Sequence, residues 1–179
     1  MPNTYRLTSA YIPTGDPDTM AVPLDSTPTA GSYSNYAPGQ VGGSINLNDK
    51  TYTIVQVKAG DTVAVNQVLY WYDKTQAIVT SAVASSNRNQ VAGIARVAVA
   101  GADNPNGTLI AMLVKGHAIS VKDSGTAIAA ANVAIASATS GEIDGVAAGT
   151  APGYTAIGII TGADAAGICP VDVDLDTPL

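Results

Sequence analysis

From Thr51 onward the chain alternates apolar and polar residues with the two-residue period of β-structure, interrupted by Gly, Asn and Asp. Residues 51–57, Thr-Tyr-Thr-Ile-Val-Gln-Val, are rich in β-branched side chains and predict a strand. Residues 68–72 and 76–81 flank the polar triplet Asp73-Lys74-Thr75, which predicts a hairpin. Residues 91–98 predict a further strand, and Asn104-Pro105-Asn106-Gly107 a turn. Residues 108–114 are apolar on both faces, as in a central strand. Residues 117–122 alternate, which places His117, Ile119 and Val121 on one apolar face. Residues 141–145 read as a turn around a short edge, and 171–176 as a strand with Asp172, Asp174 and Asp176 in water. Residues 127–138 hold enough alanine for a helix, but Ile128, Val133 and Ile135 form no 3.6-residue stripe, so β-structure is expected there too.

A phrase recurs. Val57-Lys58-Ala59-Gly60-Asp61-Thr62-Val63 is echoed by Val121-Lys122-Asp123-Ser124-Gly125-Thr126-Ala127, an offset of 64. Val91-Ala92-Gly93-Ile94-Ala95 is echoed by Ala156-Ile157-Gly158-Ile159-Ile160, an offset of 65. The expectation is an all-β fold, a compact β-barrel or β-sandwich built from two diverged repeats over about 51–120 and 121–179. An extended N-terminal arm over 1–50 precedes it.

That first stretch has a different texture. It carries six of the ten prolines, Pro2, Pro13, Pro17, Pro23, Pro28 and Pro38, which exclude a long helix or a central strand. Apolar anchors nevertheless recur at Tyr5, Leu7, Tyr11, Ile12, Met20, Val22 and Leu24, which a disordered linker would lack. The expectation is an arm that becomes ordered by lying on something. The alternative is a long loop wrapped around its own domain.

Composition narrows the possibilities. Only 12% of residues are charged, against roughly 25% in ordinary soluble proteins, and phenylalanine is absent. A core of small and branched side chains suits a protein that gains stability through association. The net charge of −6, without any basic run, argues against binding nucleic acid. One cysteine, Cys169, rules out an internal disulfide. The N-terminus lacks the pattern of a secretory signal, and no run is long enough to span a membrane, so a product made in a cytoplasm is expected.

Candidate chemistry is sparse. His117 is the only histidine, so any Ser-His-Asp relay must use it, yet no G-x-S-x-G elbow accompanies it. Its place on an apolar face predicts a buried or interface residue. Cys169, before Pro170 and without a CxxC partner, reads as an inert core thiol. One histidine and one cysteine cannot make a zinc site. Calcium could use Asp172, Asp174 and Asp176, or Asp16 and Asp18, but neither run has the spacing of an EF-hand. No phosphate-binding glycine motif follows a strand. No enzyme activity, cofactor or metal is expected. Tyr70, Trp71 and Tyr72 form the densest aromatic group, suited to core and rim, to a subunit contact, or to stacking on a sugar. These three and His117 are the candidate oligomer contacts.

Two resemblances follow from these residues. Residues 57–69 share the rhythm of biotinyl and lipoyl carrier domains, which present a lysine at a hairpin tip; Lys74 occupies such a tip, but Asp73 and Thr75 flank it instead of methionines. The Gly-Asp-x-Val then Gln-Val-Leu-Tyr segment at 60–70, the Val-Ala-Gly-Ile-Ala strand at 91–95 and the Val-Lys-Gly-His-Ala entry at 114–118 also resemble the small head decoration or cement proteins of tailed bacteriophages. The likeness covers 51–125 clearly and the second copy faintly. It implies a non-enzymatic structural virion protein bound to the major capsid protein on the outer capsid surface, stabilising contacts between capsomers. It also implies a homo-oligomer, with a trimer favoured over a dimer; charge and hydropathy predict no direct contact with nucleic acid or membrane. On this reading the seven apolar residues of the arm touch the shell. The alternative is a carbohydrate- or host-surface-binding module using the aromatic triplet.

Overall fold

The computed structural model describes residues 17–19, 21–23, 44–47, 49–151 and 153–175. Its elements, in chain order, are a 3-10 turn at Pro17–Thr19 and strands β1 (Ala21–Pro23), β2 (Ser44–Leu47), β3 (Lys50–Val57), β4 (Val68–Asp73), β5 (Ile78–Thr80) and β6 (Val91–Ile94). A second 3-10 turn, Gly101–Asp103, precedes β7 (Thr108–Lys122), β8 (Val133–Ala136), β9 (Ile143–Val146), β10 (Ala156–Ile160) and β11 (Ile168–Asp174). The fold is all-β, as the alternation predicts. The alanine-rich stretch supplies strand β8, not a helix.

Strands β3, β5, β4, β6 and β7 follow one another around a ring, and β3 pairs with β7 to close it as a five-stranded barrel. The second half repeats the ladder. The C-terminal part of β7 pairs with β11, β11 with β10, β10 with β8 and β8 with β9. The ring returns to β7 through the parallel bridge Asp123↔Ile143, the counterpart of the parallel pairing between β3 and β5. Individual bonds recur at the 65-residue offset. The Asn66 N–H donates to the Ala95 carbonyl and the Ala131 N–H to the Ile160 carbonyl, both at 2.8 Å. Asn66 and Ala131 also share a left-handed backbone, at φ 66° and 68°.

Strand β7 serves both rings. Its first seven residues are buried on both faces, and the rest alternate imperfectly along the second barrel. The repeated glycine has a physical cause. A Cβ on Gly93 would strike Met112 and the Leu113 carbonyl, and one on Gly158 would strike the Asp172 carbonyl. Both glycines let the sixth and tenth strands approach their neighbour closely.

The expected boundary at residue 50 is crossed by the sheet. β1 lies antiparallel on β7, with Val22 opposite Leu109, and β2 forms a hairpin ladder with β3. The described parts of the leader are therefore hydrogen-bonded to the body.

Candidate functional site

Asp18 is where the leader is fastened. Its carboxylate lies 2.8 Å from Lys50 Nζ and 3.1 Å from Arg96 Nε, and accepts a hydrogen bond from the Tyr52 hydroxyl at 2.8 Å. Burial works to raise its pKa, but Lys50, Tyr52 and Arg96 together hold it below the ordinary carboxylate value. Its partners are 32 to 78 residues away in sequence, so no local motif announces them. Of the expected shell-contact residues, Val22 lies in β1 on the chain's own seventh strand. Tyr5, Leu7, Tyr11, Ile12, Met20 and Leu24 lie outside the described residues, as do Asp16 and Asp176.

The seam between the barrels is the second polar cluster. Arg88 Nε donates to the Ala136 carbonyl at 2.8 Å, its Nη2 lies 3.3 Å from Asp144, and its guanidinium stacks 3.8 Å from the Tyr154 ring centroid. The Val68 N–H donates to the Gly141 carbonyl at 3.0 Å, and the Val83 N–H to Ser140 Oγ at 3.1 Å. The hairpin of β8 and β9 thus seats its tip on the first barrel. Arg88 and Asp144 are isolated charges in sequence, and nothing short of the fold brings them together.

The aromatic triplet is divided. Tyr70 and Trp71 are buried in the core, whereas Tyr72 is 59% exposed beneath Lys58 Nζ, which stands 4.6 Å from its ring centroid. Simple alternation would bury one of Tyr70 and Trp71 and expose the other. Here β4 runs between β5 and β6 inside a barrel whose outer face is also covered, and the register shifts after Trp71. Tyr70 and Trp71 therefore present no surface to an oligomer partner or a sugar. Among the described residues the Tyr70 hydroxyl has no hydrogen-bond partner; burial pushes its pKa up to about 12, with Arg88 opposing and Asp144 and Glu142 adding, so it stays neutral.

His117 corrects the alternation read from the sequence. Ile119 and Val121 are buried as expected, but the His117 side chain is 81% exposed. The cause is a β-bulge. Ile119 faces Val171 and Gly116 faces Val173, so His117 and Ala118 together oppose Asp172, and Ala118 takes a left-handed φ of 49°. His117 Nδ1 lies 2.6 Å from Asp172 Oδ1, which also accepts the Ala118 N–H at 2.9 Å. The pair borders an open concavity of about 280 Å³ with Asp49, Lys115, Gly116, Val173 and Asp174. An imidazole aligned by a carboxylate is two parts of a relay, but this lining brings neither hydroxyl nor thiol.

Cys169 is a free, buried thiol, pushed up to about 12 by burial and then by the nearby Asp123 and Asp164. Asp123 beside it is buried, and its Oδ2 has no hydrogen-bond partner among the described residues. Burial raises its pKa, the Gly125 N–H opposes that, and Asp164 adds to it. Lys74 is exposed in the turn between β4 and β5. Among the described residues, no three His, Cys, Asp or Glu side chains converge so as to hold a metal ion, and no helix is long and apolar enough to cross a membrane. Set against protein families and against curated proteins, the sequence matches none.

Proposed function

We propose that this chain is a non-enzymatic capsid cement protein. It would bind the major capsid protein on the outside of a tailed-phage head and stabilise contacts between capsomers, as a homo-oligomer with three copies favoured over two. The observation that carries this reading is the fastening of the leader: β1 on β7, and Asp18 on Lys50, Tyr52 and Arg96. Residues 1–16, with Tyr5, Leu7, Tyr11 and Ile12, precede that fixed point in the chain. The sequence segments that resemble decoration proteins, 60–70, 91–95 and 114–118, all fall on the first barrel and on β7.

The physics of such a grip is additive. If the apolar anchors buried about 400 Å² on a shell, the gross gain would be on the order of 10 kcal/mol before ordering costs. Proline limits those costs, because a stiff leader loses less freedom on docking. Several leaders on one oligomer then act together, and effective concentration multiplies weak grips into a stable clamp. The carbohydrate reading keeps only Tyr72 of its aromatic platform at the surface.

The test is co-sedimentation with tailed-phage heads assembled from a major capsid protein. A variant lacking residues 2–12 spares β1 and Asp18, so it folds with its body intact. Full-length protein should saturate the heads and the shortened form should bind weakly. Equal occupancy by both forms would remove the leader from the account.

A further inference from the structure

Two exposed apolar side chains, Tyr72 at 59% and Ile159 at 45%, fall on opposite sides of a contact the repeat makes once: at the 65-residue offset Tyr72 corresponds to Ser137 beside the β8–β9 hairpin tip, and Ile159 to the buried Ile94. In the seam, the tip of the β8–β9 hairpin rests on the first barrel: Ser140 meets Val83, and Gly141 meets Val68 and the side chain of Gln67. At the 65-residue offset, Thr75 and Gln76 stand where Ser140 and Gly141 stand. They sit on the exposed tip of the β4–β5 hairpin, next to Tyr72. The receiving side has its counterpart too. Val68, Ile94 and Leu113 form a fully buried row across β4, β6 and β7. The same row in the second barrel is Val133, Ile159 and Asp172, across β8, β10 and β11, and there Ile159 is bare. One contact is made within the chain, and a matching knob and a matching seat are left over.

We propose that the occupant of that seat is a second copy of this chain: the β4–β5 hairpin tip of one copy docks on the Asn132, Val133, Ile159 and Asp172 face of the next, repeating the internal seam head to tail. Charge complementarity supports this choice. Residues 50–114 carry five basic against three acidic side chains, and residues 115–175 two basic against six acidic. Lys58 stands over Tyr72 and Lys74 lies at the tip of the knob, two basic groups against the one acid Asp73, while Asp172, which also holds His117, is the direct cross-strand neighbour of Ile159 at the seat. Gly153 stands in the place of Arg88, so the clamp to Asp144 is not repeated and the contact between copies is weaker than the seam. A contact between two different surfaces closes into a ring when its rotation allows and otherwise extends as a filament. This inference concerns contacts between copies only and does not rest on capsid binding.

Sedimentation velocity on the full chain over a range of concentration and salt tests it. Ile159→Lys removes the seat, and Tyr72→Asp with Lys74→Glu removes the knob. Wild type should associate, more weakly as salt rises, and each variant alone should lose about tenfold or more in self-affinity. An equimolar mixture of the two variants should form a dimer and nothing larger, because one intact knob meets one intact seat. A contact between identical patches would give no such rescue. Melting temperatures equal to wild type confirm folded variants, with Ile159→Thr as a milder seat variant. A wild type that stays monomeric at low salt, seat variants that associate like wild type, or a mixture that stays monomeric would each overturn the proposal. The first outcome, with Ile159→Lys lowering the melting temperature, would assign the seat to the chain's own leader.

Discussion

The two barrels carry the same ladder in different surroundings. In the first, the row Val68, Ile94 and Leu113 is wholly buried, and Tyr70 and Trp71 fill the space beneath its neighbours. In the second, the matching row ends in Asp172 and leaves Ile159 in water. What the two barrels share is the backbone: the close-approach glycines, the left-handed Asn66 and Ala131, and the bonds 65 residues apart. Side chains diverged according to what came to cover each barrel. The first barrel receives the hairpin of the second, and described parts of the leader join it at β1, β2 and Asp18. The second barrel receives nothing equivalent among the described residues.

The sharpest way to break this comparison is at the shared glycine. Gly158→Ala drives a methyl group into the Asp172 carbonyl, where backbone rather than a flexible side chain must move. A loss of about 3 kcal/mol is expected in urea unfolding. Gly93→Ala should cost less, because the Met112 side chain can partly give way and the Leu113 carbonyl, 2.7 Å from the added carbon, stands farther off than the Asp172 carbonyl does at Gly158. Next comes the seam. Arg88→Ala leaves Asp144 without its cation and the Ala136 carbonyl without that donor, and should cost about 2 kcal/mol. If the barrels unfold as one unit, as a shared β7 requires, the melt of this variant stays single and shifts whole.

The leader gives a smaller effect with a definite pH dependence. Asp18→Asn should cost about 1 kcal/mol at neutral pH, a figure reduced for the partial exposure of the group. Because the folded pKa of Asp18 is lowered, the stability it supplies is present above the ordinary value of 3.8 and is lost as pH falls through the folded value. The difference between wild type and variant should therefore shrink below that pH. In the second barrel the sign reverses. The raised pKa of Asp123 means its stability is full below 3.8 and falls as pH rises through the folded value. Asp123→Asn keeps an acceptor for the Gly125 N–H and removes a buried charge facing Asp164. It should stabilise by about 1 kcal/mol at neutral pH and by nothing below 3.8, read from melts across that range.

Alternation and turn chemistry made strands β3 to β8 and β11 legible in the sequence, since each rests on local preference; β10 showed only through the echo of residues 91–95, and β9 falls where residues 141–145 read as a turn. The repeat was legible for a different reason: strand closeness at Gly93 and Gly158 tolerates no other residue cheaply. Long-range features were not. The bulge that turns His117 into solvent depends on how β7 meets β11, and a single extra residue reverses the face. The burial of both Tyr70 and Trp71 depends on barrel closure. Asn104 read only as part of a turn, yet its buried amide donates to the Lys58 and Asp61 carbonyls and accepts from Thr108, which ties the turn to the barrel. Asp18 drew notice only beside Asp16 as a conceivable calcium ligand; its bonds to Lys50, Tyr52 and Arg96 came from the fold.

The most direct measurement is electron cryo-microscopy of tailed-phage heads after incubation with the purified chain. Ordered knobs of density at the junctions between capsomers, with the leader traced down onto the shell, are the predicted result. Bare shells at saturating protein would contradict a role as a capsid clamp.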